Sequence, residues 1–541
     1  MFENDAPAAS TPPRSEGITR RRLLGSAVAA TGTGLIAASP AGALASTGPR
    51  SSPWPQGQLT AAATRQVDPA QFISRQQIHT WQESLDDIGL RATGSRSHHA
   101  YVDRLADRMQ QVGIRNVHTD PVPLKQWEPS SWQLDVIGGQ DAGKVKVSWY
   151  VPYSGNTGPQ AITAPLSLLP RKGTIGLVTV TPPSLPYALM DIVDWDAPFQ
   201  PRHPAGYNPL ATYDRAWFAG SSVAGQLDRF KKAGALGVVI ALNLPEQAAR
   251  GQYLPYDGIH RDLPSLIVDR DTGKQLVKVA LRGGNVRLEL RARVQQITTP
   301  NLYGIIPGAS DELVMIQSHT DGTNGLEENG PEAILAMAQY LARIPRHELP
   351  RSILVVMSTG HMSGHAMGTE AFLRRHTDGL ISRTAAAMSL EHLGARPWLP
   401  DRHGEFRRAD GYETALCFSS PHREIIKVAR RAQERSQLDG NRVLRPFMPD
   451  TISGESPNGF WWPGDGEGLW RVSALPSLQY ISGPTYLLSS GMPVMDFIDT
   501  AAVRRQAIAF TDAALELTRI PRADLDQRRP DDPGSIPTLP L

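Results

Sequence analysis

Apolar positions in the second half of the chain fall into two alternating spacings. Short continuous apolar runs at 313–316, 352–357 and 385–390 are bounded by polar or turn residues, as buried strands are. Between them, 332–343 and 368–375 carry apolar residues at helical spacing. Strands alternating with helices of this length predict an α/β domain with a mostly parallel sheet flanked by helices. Polar residues gather just past the strand ends, at His319-Thr320-Asp321 and Gly360-His361, where such sheets keep their sites.

The first half is patterned differently. Residues 72–113 are helical, broken at Gly94-Ser95, with Leu105, Met109 and Val112 on one face of the second piece. A strand follows at 114–122. Between 155 and 294 short β-like runs at 174–180, 238–242 and 263–268 are separated by Pro- and Gly-rich loops, with one short helix at 226–233. This change of texture predicts a β-rich module inserted into the larger domain. Residues 46–65 form a polar lead-in, and the stretch from 521 onward has the composition of a loose tail.

Composition narrows the setting. Cys417 is the single cysteine of 541 residues, so no intramolecular disulfide exists and the core alone must stabilise the fold. A formal net charge of +2 gives no basis for nucleic-acid binding. No second apolar run approaches the roughly 20 residues of a membrane span. At the N-terminus, Thr19-Arg20-Arg21-Arg22-Leu23-Leu24 precedes a modestly apolar, Ala- and Gly-rich stretch, 23–38. Ala43-Leu44-Ala45 then offers a cleavage site before Ser46. That order is the order of a secretory signal, and the doubled arginine predicts recognition by the twin-arginine export machinery. Such a protein folds before export and works outside the cytoplasm.

With these segments placed, the chain resembles the zinc aminopeptidase family that includes glutamate carboxypeptidase and the transferrin-receptor ectodomain. Residues 88–95 resemble the family's N-terminal helix break, and 301–308 the return into the catalytic domain. Residues 230–242 and 263–268 resemble parts of its inserted protease-associated domain. Together with a signal peptide at 1–45, a lead-in at 46–65 and a tail at 521–541 read from the residues themselves, the resemblance implies a peptidase-like α/β domain at 66–150 and 296–520 and the protease-associated domain at 151–295.

The resemblance also implies two zinc ions, held by a His, a bridging Asp, a Glu, an Asp and a final His, with a glutamate base beside the third ligand. Here the positions read differently. His319 matches the first ligand and Asp321 the carboxylate that orients it. Glu328, in Glu327-Glu328-Asn329-Gly330, stands at the bridging position. His361 and Met362 replace the paired glutamates, and Glu391, beside His392, replaces the second Asp. The last ligand should fall near Tyr486-Leu487-Leu488-Ser489, and no histidine follows His422. A standard two-zinc site is therefore not expected.

What remains implies a secreted, aminopeptidase-like hydrolase with a remodelled site, acting on a peptide or other small extracellular substrate. His319, Glu328 and Glu391 would hold one zinc or other divalent metal, and His361, Asp321 and Glu327 would carry catalysis. His361 and His365, four apart, would share a helical face and with His319 and a carboxylate hold one metal. Without a metal, His361 would serve as a general base near neutral pH. The alternative is a catalytically inactive pseudo-peptidase that binds peptides or glycans. In the glycine-rich stretch 460–470, Trp461, Trp462, Asp465 and Glu467 are candidate substrate contacts, although its aromatics are equally suited to pinning the loop on the core.

Overall fold

The computed structural model describes residues 54–195, 210–364, 367–436, 442–451 and 453–529. The expected signal segment, the start of the lead-in, His365 and the chain from 530 onward lie outside the described residues.

One twisted sheet organises the molecule. Twelve of its fourteen strands among the described residues are β1 (Arg115–Ile137), β2 (Ile162–Ser167), β3 (Ile175–Val180), β4 (Gly237–Leu242), β5 (Ser265–Val268), β6 (Asn285–Ile306), β7 (Ser310–His319), β8 (Arg351–Ser358), β9 (Thr384–Leu390), β10 (Ala415–Ser419), β11 (Arg442–Leu444) and β12 (Ser477–Ser482); the short strands Gly143–Val145 and Trp149–Tyr150 pair with β1 and β5. The spatial order is β11-β10-β12-β9-β7-β8-β6-β2-β3-β4-β5. Strands β8, β7, β9 and β12 run parallel, as do β2 to β5, and β6 joins the two blocks by pairing antiparallel with both β8 and β2. The mostly parallel sheet expected from the strand–helix alternation is present.

The helices are α1 (Arg75–Asp86), α2 (Arg96–Gln111), α3 (Gly220–Lys232), α4 (Arg270–Leu281), α5 (Gly330–Leu341), α6 (Met367–Arg375), α7 (Arg423–Ser436) and α8 (Thr500–Leu517). Ser74 and Ser95 cap α1 and α2 by accepting from the backbone N–H of Gln77 and His98. The expected break between these helices therefore extends from Asp87 to Ser95.

Three differences from the sequence pattern have physical causes. Strand β1 runs on to Ile137, fifteen residues past the expected end at 122, because β6 pairs with it almost throughout. Its polar residues and the prolines at 121, 123 and 129 conceal a strand that pairing with β6 completes. The inserted segment is less purely β than expected, since α3 starts at Gly220 and α4 packs against β2, β3 and β4. Helix α8, alanine-rich and buried against α7 and α5, lacks the polar face that would reveal an amphipathic helix. The first part of the expected tail is held to the body, with Arg423 N–H donating to Gln527 O and Arg529 N–H to Pro421 O.

The central strands are entirely buried, as are all residues of α5, and each large apolar side chain removed from water there stabilises by roughly 1.5–3 kcal/mol. No described helix is long and apolar enough to cross a membrane. Helix α5 starts so close to the sheet that a Cβ on Gly330 would stand 2.0 Å from the Leu390 carbonyl oxygen and 2.1 Å from Ser318 Oγ. Both neighbours belong to the strands that end at the polar cluster. Gly330→Ala is expected to lower stability by about 2 kcal/mol, read as a lower denaturant midpoint at unchanged slope. A wild-type midpoint would disprove the close approach.

Candidate active site

The sheet register brings the polar residues together. His319 ends β7 and pairs with Ser358 at the end of β8, while β9 runs parallel on the other side of β7 and ends at Leu390. Three adjacent strands thus end at one edge. His361 follows β8 through Gly360, whose φ of 87° lets the chain turn sharply, and Glu391-His392 follows β9. His392 is itself left-handed, with φ 56°.

His319, Glu391 and His392 form a group whose candidate ligand atoms lie within 4.8 Å of one another. Their tautomers follow from their partners. His319 Nδ1 lies 2.9 Å from the Asp321 carbonyl oxygen and His392 Nδ1 lies 2.6 Å from that of Ser482. A carbonyl only accepts, so both Nδ1 atoms carry the proton and both Nε2 atoms present a lone pair. Burial, then the charge of His361, lowers the His319 imidazole below its usual range; burial, then His319, takes His392 down to about 3, so both favour the neutral form. Glu391 Oε1 accepts from Ser389 Oγ at 3.0 Å and from the Asp465 N–H at 3.1 Å. Its Oε2 lies 4.0 Å from His319 Nε2. Burial first, then the charge of Asp465, pushes the Glu391 carboxyl up to about 8.

Three buried atoms, His319 Nε2, His392 Nε2 and Glu391 Oε2, have no hydrogen-bond partner among the described residues. Buried polar atoms left unsatisfied are costly. Two neutral imidazoles and one carboxyl group that a bound cation would deprotonate, within 4.8 Å of one another, match the donor set of a catalytic zinc site with an open coordination position. The residues fit a divalent metal.

Beside this group lies a charge chain. His361 Nδ1 is bonded to Asp465 Oδ1, and His361 Nε2 lies 3.5 Å from Glu327 Oε1. The ring stacks on His319 with centroids 3.9 Å apart. Burial works against the cation, but Asp465 and Glu327 outweigh it and hold the His361 pKa well above the usual histidine range. Burial likewise works to raise Glu327, yet His361 holds that carboxyl down at about 2. With a carboxylate at each nitrogen, His361 has no free lone pair. This arrangement departs from the expected role of His361 as a metal ligand or general base, because a carboxylate engages each of its ring nitrogens. Asp465, expected as a substrate contact, orients that ring and also accepts from Ser358 Oγ at 3.3 Å.

Several other expectations are corrected. Glu328 is not part of the His319, Glu391 and His392 group and instead forms a buried ion pair with Arg91 Nε, both side chains being wholly inaccessible. The same guanidinium donates to Leu85 O at 3.1 Å and Asn324 O at 2.6 Å, which explains why the chain breaks between α1 and α2. Burial lowers Arg91 to about 10. Asp321 orients His319 with its backbone carbonyl; its carboxylate instead accepts from the N–H groups of His361 and Met362 at 3.3 and 2.9 Å. Trp461 and Trp462 pack inward instead of forming a stacking platform. Trp462 is fully buried, stacks on Phe418 and donates to Gln479 Oε1 at 2.9 Å. Glu467 is buried against Arg471 Nη2 at 3.0 Å. Where the resemblance calls for a last histidine, the Tyr486 hydroxyl points to Arg396 O and Phe497 O at 3.0 and 3.1 Å.

Sequence reasoning counted His392 among the groups expected to converge without giving it a ligand role, its signal being its adjacency to Glu391, and it missed Tyr256. Tyr256 carries none: it comes from the inserted segment, donates to Glu327 Oε1 at 2.7 Å and sets its ring edgewise to His361 at 5.2 Å. His98 also finds its place, accepting from Gly94 N–H at 2.9 Å and facing Thr320 Oγ1 at 2.8 Å, so that α2 is clamped to the end of β7.

No protein-family model matches the sequence, and no curated protein matches it either. Solved structures do match. A zinc aminopeptidase from Bacillus subtilis is 14% identical with a TM-score of 0.57, over 83% of this chain and 97% of that one. A peptidase M28 precursor from Shewanella amazonensis is 14% identical at 0.57, over 85% and 97%. An aminopeptidase from an Aneurinibacillus species is 13% identical at 0.51, over 81% and 93%. The chain therefore has the zinc-aminopeptidase fold, over most of its length.

The buried Arg91–Glu328 pair is a structural element of the fold. Glu328→Gln leaves a buried guanidinium uncompensated and is expected to cost roughly 3–5 kcal/mol in unfolding free energy while leaving bound metal unchanged. Loss of metal at full stability would return Glu328 to the ligand set.

Proposed function

We propose that the protein is a hydrolase of the peptidase kind, acting outside the cytoplasm on a peptide or other small substrate, with one divalent metal held by His319, Glu391 and His392. The convergence of three partnerless buried donor atoms at the strand ends carries this reading. The zinc-aminopeptidase fold supports it, because parallel sheets place their chemistry at that edge. A metal bound there would supply Lewis acidity to a carbonyl and acidify a bound water. Proton traffic falls to Asp465, His361 and Glu327: Asp465 fixes the ring, His361 holds a proton at Nε2, and Glu327 is the carboxylate facing that proton. Burial of all three keeps bulk water from competing for it.

Elemental analysis of the folded protein is expected to find about one equivalent of zinc or a similar ion, lost in His319→Ala and in His392→Ala. Metal-free protein would remove the metallohydrolase reading and leave a peptide- or glycan-binding protein. Retention of metal in His392→Ala alone would remove His392 from the ligand set.

The paired arginines supply the second part of the reading, since they precede an apolar stretch and a small-residue cleavage site. Replacing Arg20 and Arg21 together by Lys is expected to hold the protein in the cytoplasm of its own cells, measured by fractionation. Undiminished export would rule out the twin-arginine route.

A further inference from the structure

The inserted segment reaches over the polar cluster and is stitched to the two loops beside it. On one side Tyr253 N–H donates to Leu488 O at 2.9 Å, and Ser490 N–H donates to Gly251 O at 2.8 Å. Gln252 Nε2 adds bonds to Thr485 O at 3.1 Å and Ser489 Oγ at 3.0 Å. On the other side the Tyr153 hydroxyl lies 3.0 Å from Ser363 Oγ, directly after His361 and Met362. Gly258, with φ 61°, lies so near that a Cβ there would be 2.0 Å from the Ser363 carbonyl oxygen. Residues 251–258 therefore form a roof.

Under this roof His319, Glu391, His392, His361, Glu327 and Asp465 are all buried, whereas Tyr256 is only half-buried. Two surface grooves, about 680 and 670 Å³, are lined by none of these residues. Tyr256 is thus the member of the cluster that meets both solvent and the charge chain.

We infer that Tyr256 is a positioning residue of the active site, contributed by the inserted segment, which holds the Glu327 carboxylate against His361. The inference rests on the hydrolase reading of the cluster. Glu327 has two anchors: its Oε2 accepts from the Thr323 N–H within its own loop, and its Oε1 accepts from Tyr256. The first ties the side chain to its own turn, while the second ties it across from another part of the chain. Without the phenol, Oε1 keeps only the long approach to His361 Nε2. The roof then has a chemical task besides covering the site, because substrate enters past the group that orients the proton acceptor.

Tyr256→Phe keeps the ring and removes the hydroxyl. In protein stripped of metal and reloaded with Co²⁺, the variant is expected to keep the Co²⁺ stoichiometry and visible spectrum. It should bind acetohydroxamic acid about tenfold more weakly, because the Glu327 carboxylate beside the cluster is no longer held by a charge-assisted hydrogen bond. Amide hydrogen exchange at 323–329 should also be faster than in the wild type. Unchanged hydroxamate affinity together with unchanged exchange would overturn the positioning role. Failure of the wild type to take up Co²⁺ would overturn the metal reading instead, and the exchange comparison would still decide for or against Tyr256.

Discussion

The parallel register of β8, β7 and β9 is the constraint on which the site depends. It sets three strand ends side by side and so delivers residues from positions 319, 361 and 391 to one edge, although they are far apart in sequence. A one-residue slip in any of these strands would turn the relevant side chain to the other face of the sheet. The uninterrupted burial of β8 and β9, and of most of β7, makes such slips costly. Gly330 belongs to the same constraint, because its lack of a side chain lets α5 lie close to the ends of β7 and β9.

Electrostatics then divides the cluster into two parts with different tasks. His319 and His392 are kept neutral, with carbonyls on their Nδ1 atoms and lone pairs on Nε2. His361, stacked on His319, is kept charged because carboxylates face both its nitrogens. Neighbouring imidazoles in the same buried environment thus differ in protonation through the partners they are given, and partner identity decides it more than burial does. Glu327 and Glu328 repeat the lesson. One faces the imidazolium, and its neighbour faces a guanidinium whose hydrogen bonds hold the helix break in place.

The central sheet was legible because its strands are short, apolar and bounded by turn residues. Helices α2, α5 and α6 were legible from their spacing. β1 was truncated in the reading because polar and proline-rich strands show no apolar run, and α8 was missed because it is buried nearly all round. Within the site, His319, His361, Glu327 and Glu391 come together in space, each following a strand or a turn. Their roles were less legible. Whether Glu327 or Glu328 faces inward depends on Arg91, and whether His361 accepts or donates depends on Asp465, which lies more than a hundred residues away. Tyr256 could not be anticipated, because nothing local distinguishes a tyrosine that packs from one that reaches across a boundary.

The long pairing of β1 with β6 has a mechanical consequence. These two strands run through both halves of the molecule as a continuous ribbon, with β6 bonded to β8 at one end and to β2 at the other. A loop can hinge at one or two dihedral angles, but a hydrogen-bonded ribbon bends only by sharing strain along its length. The segment carrying Tyr256 is therefore mounted as on a leaf spring, and the irregularity between Pro129 and Ser131 is where such a spring yields most easily. Movements of the roof should accordingly be small, collective twists that return to one resting position, which suits a part whose task is to hold a carboxylate in register.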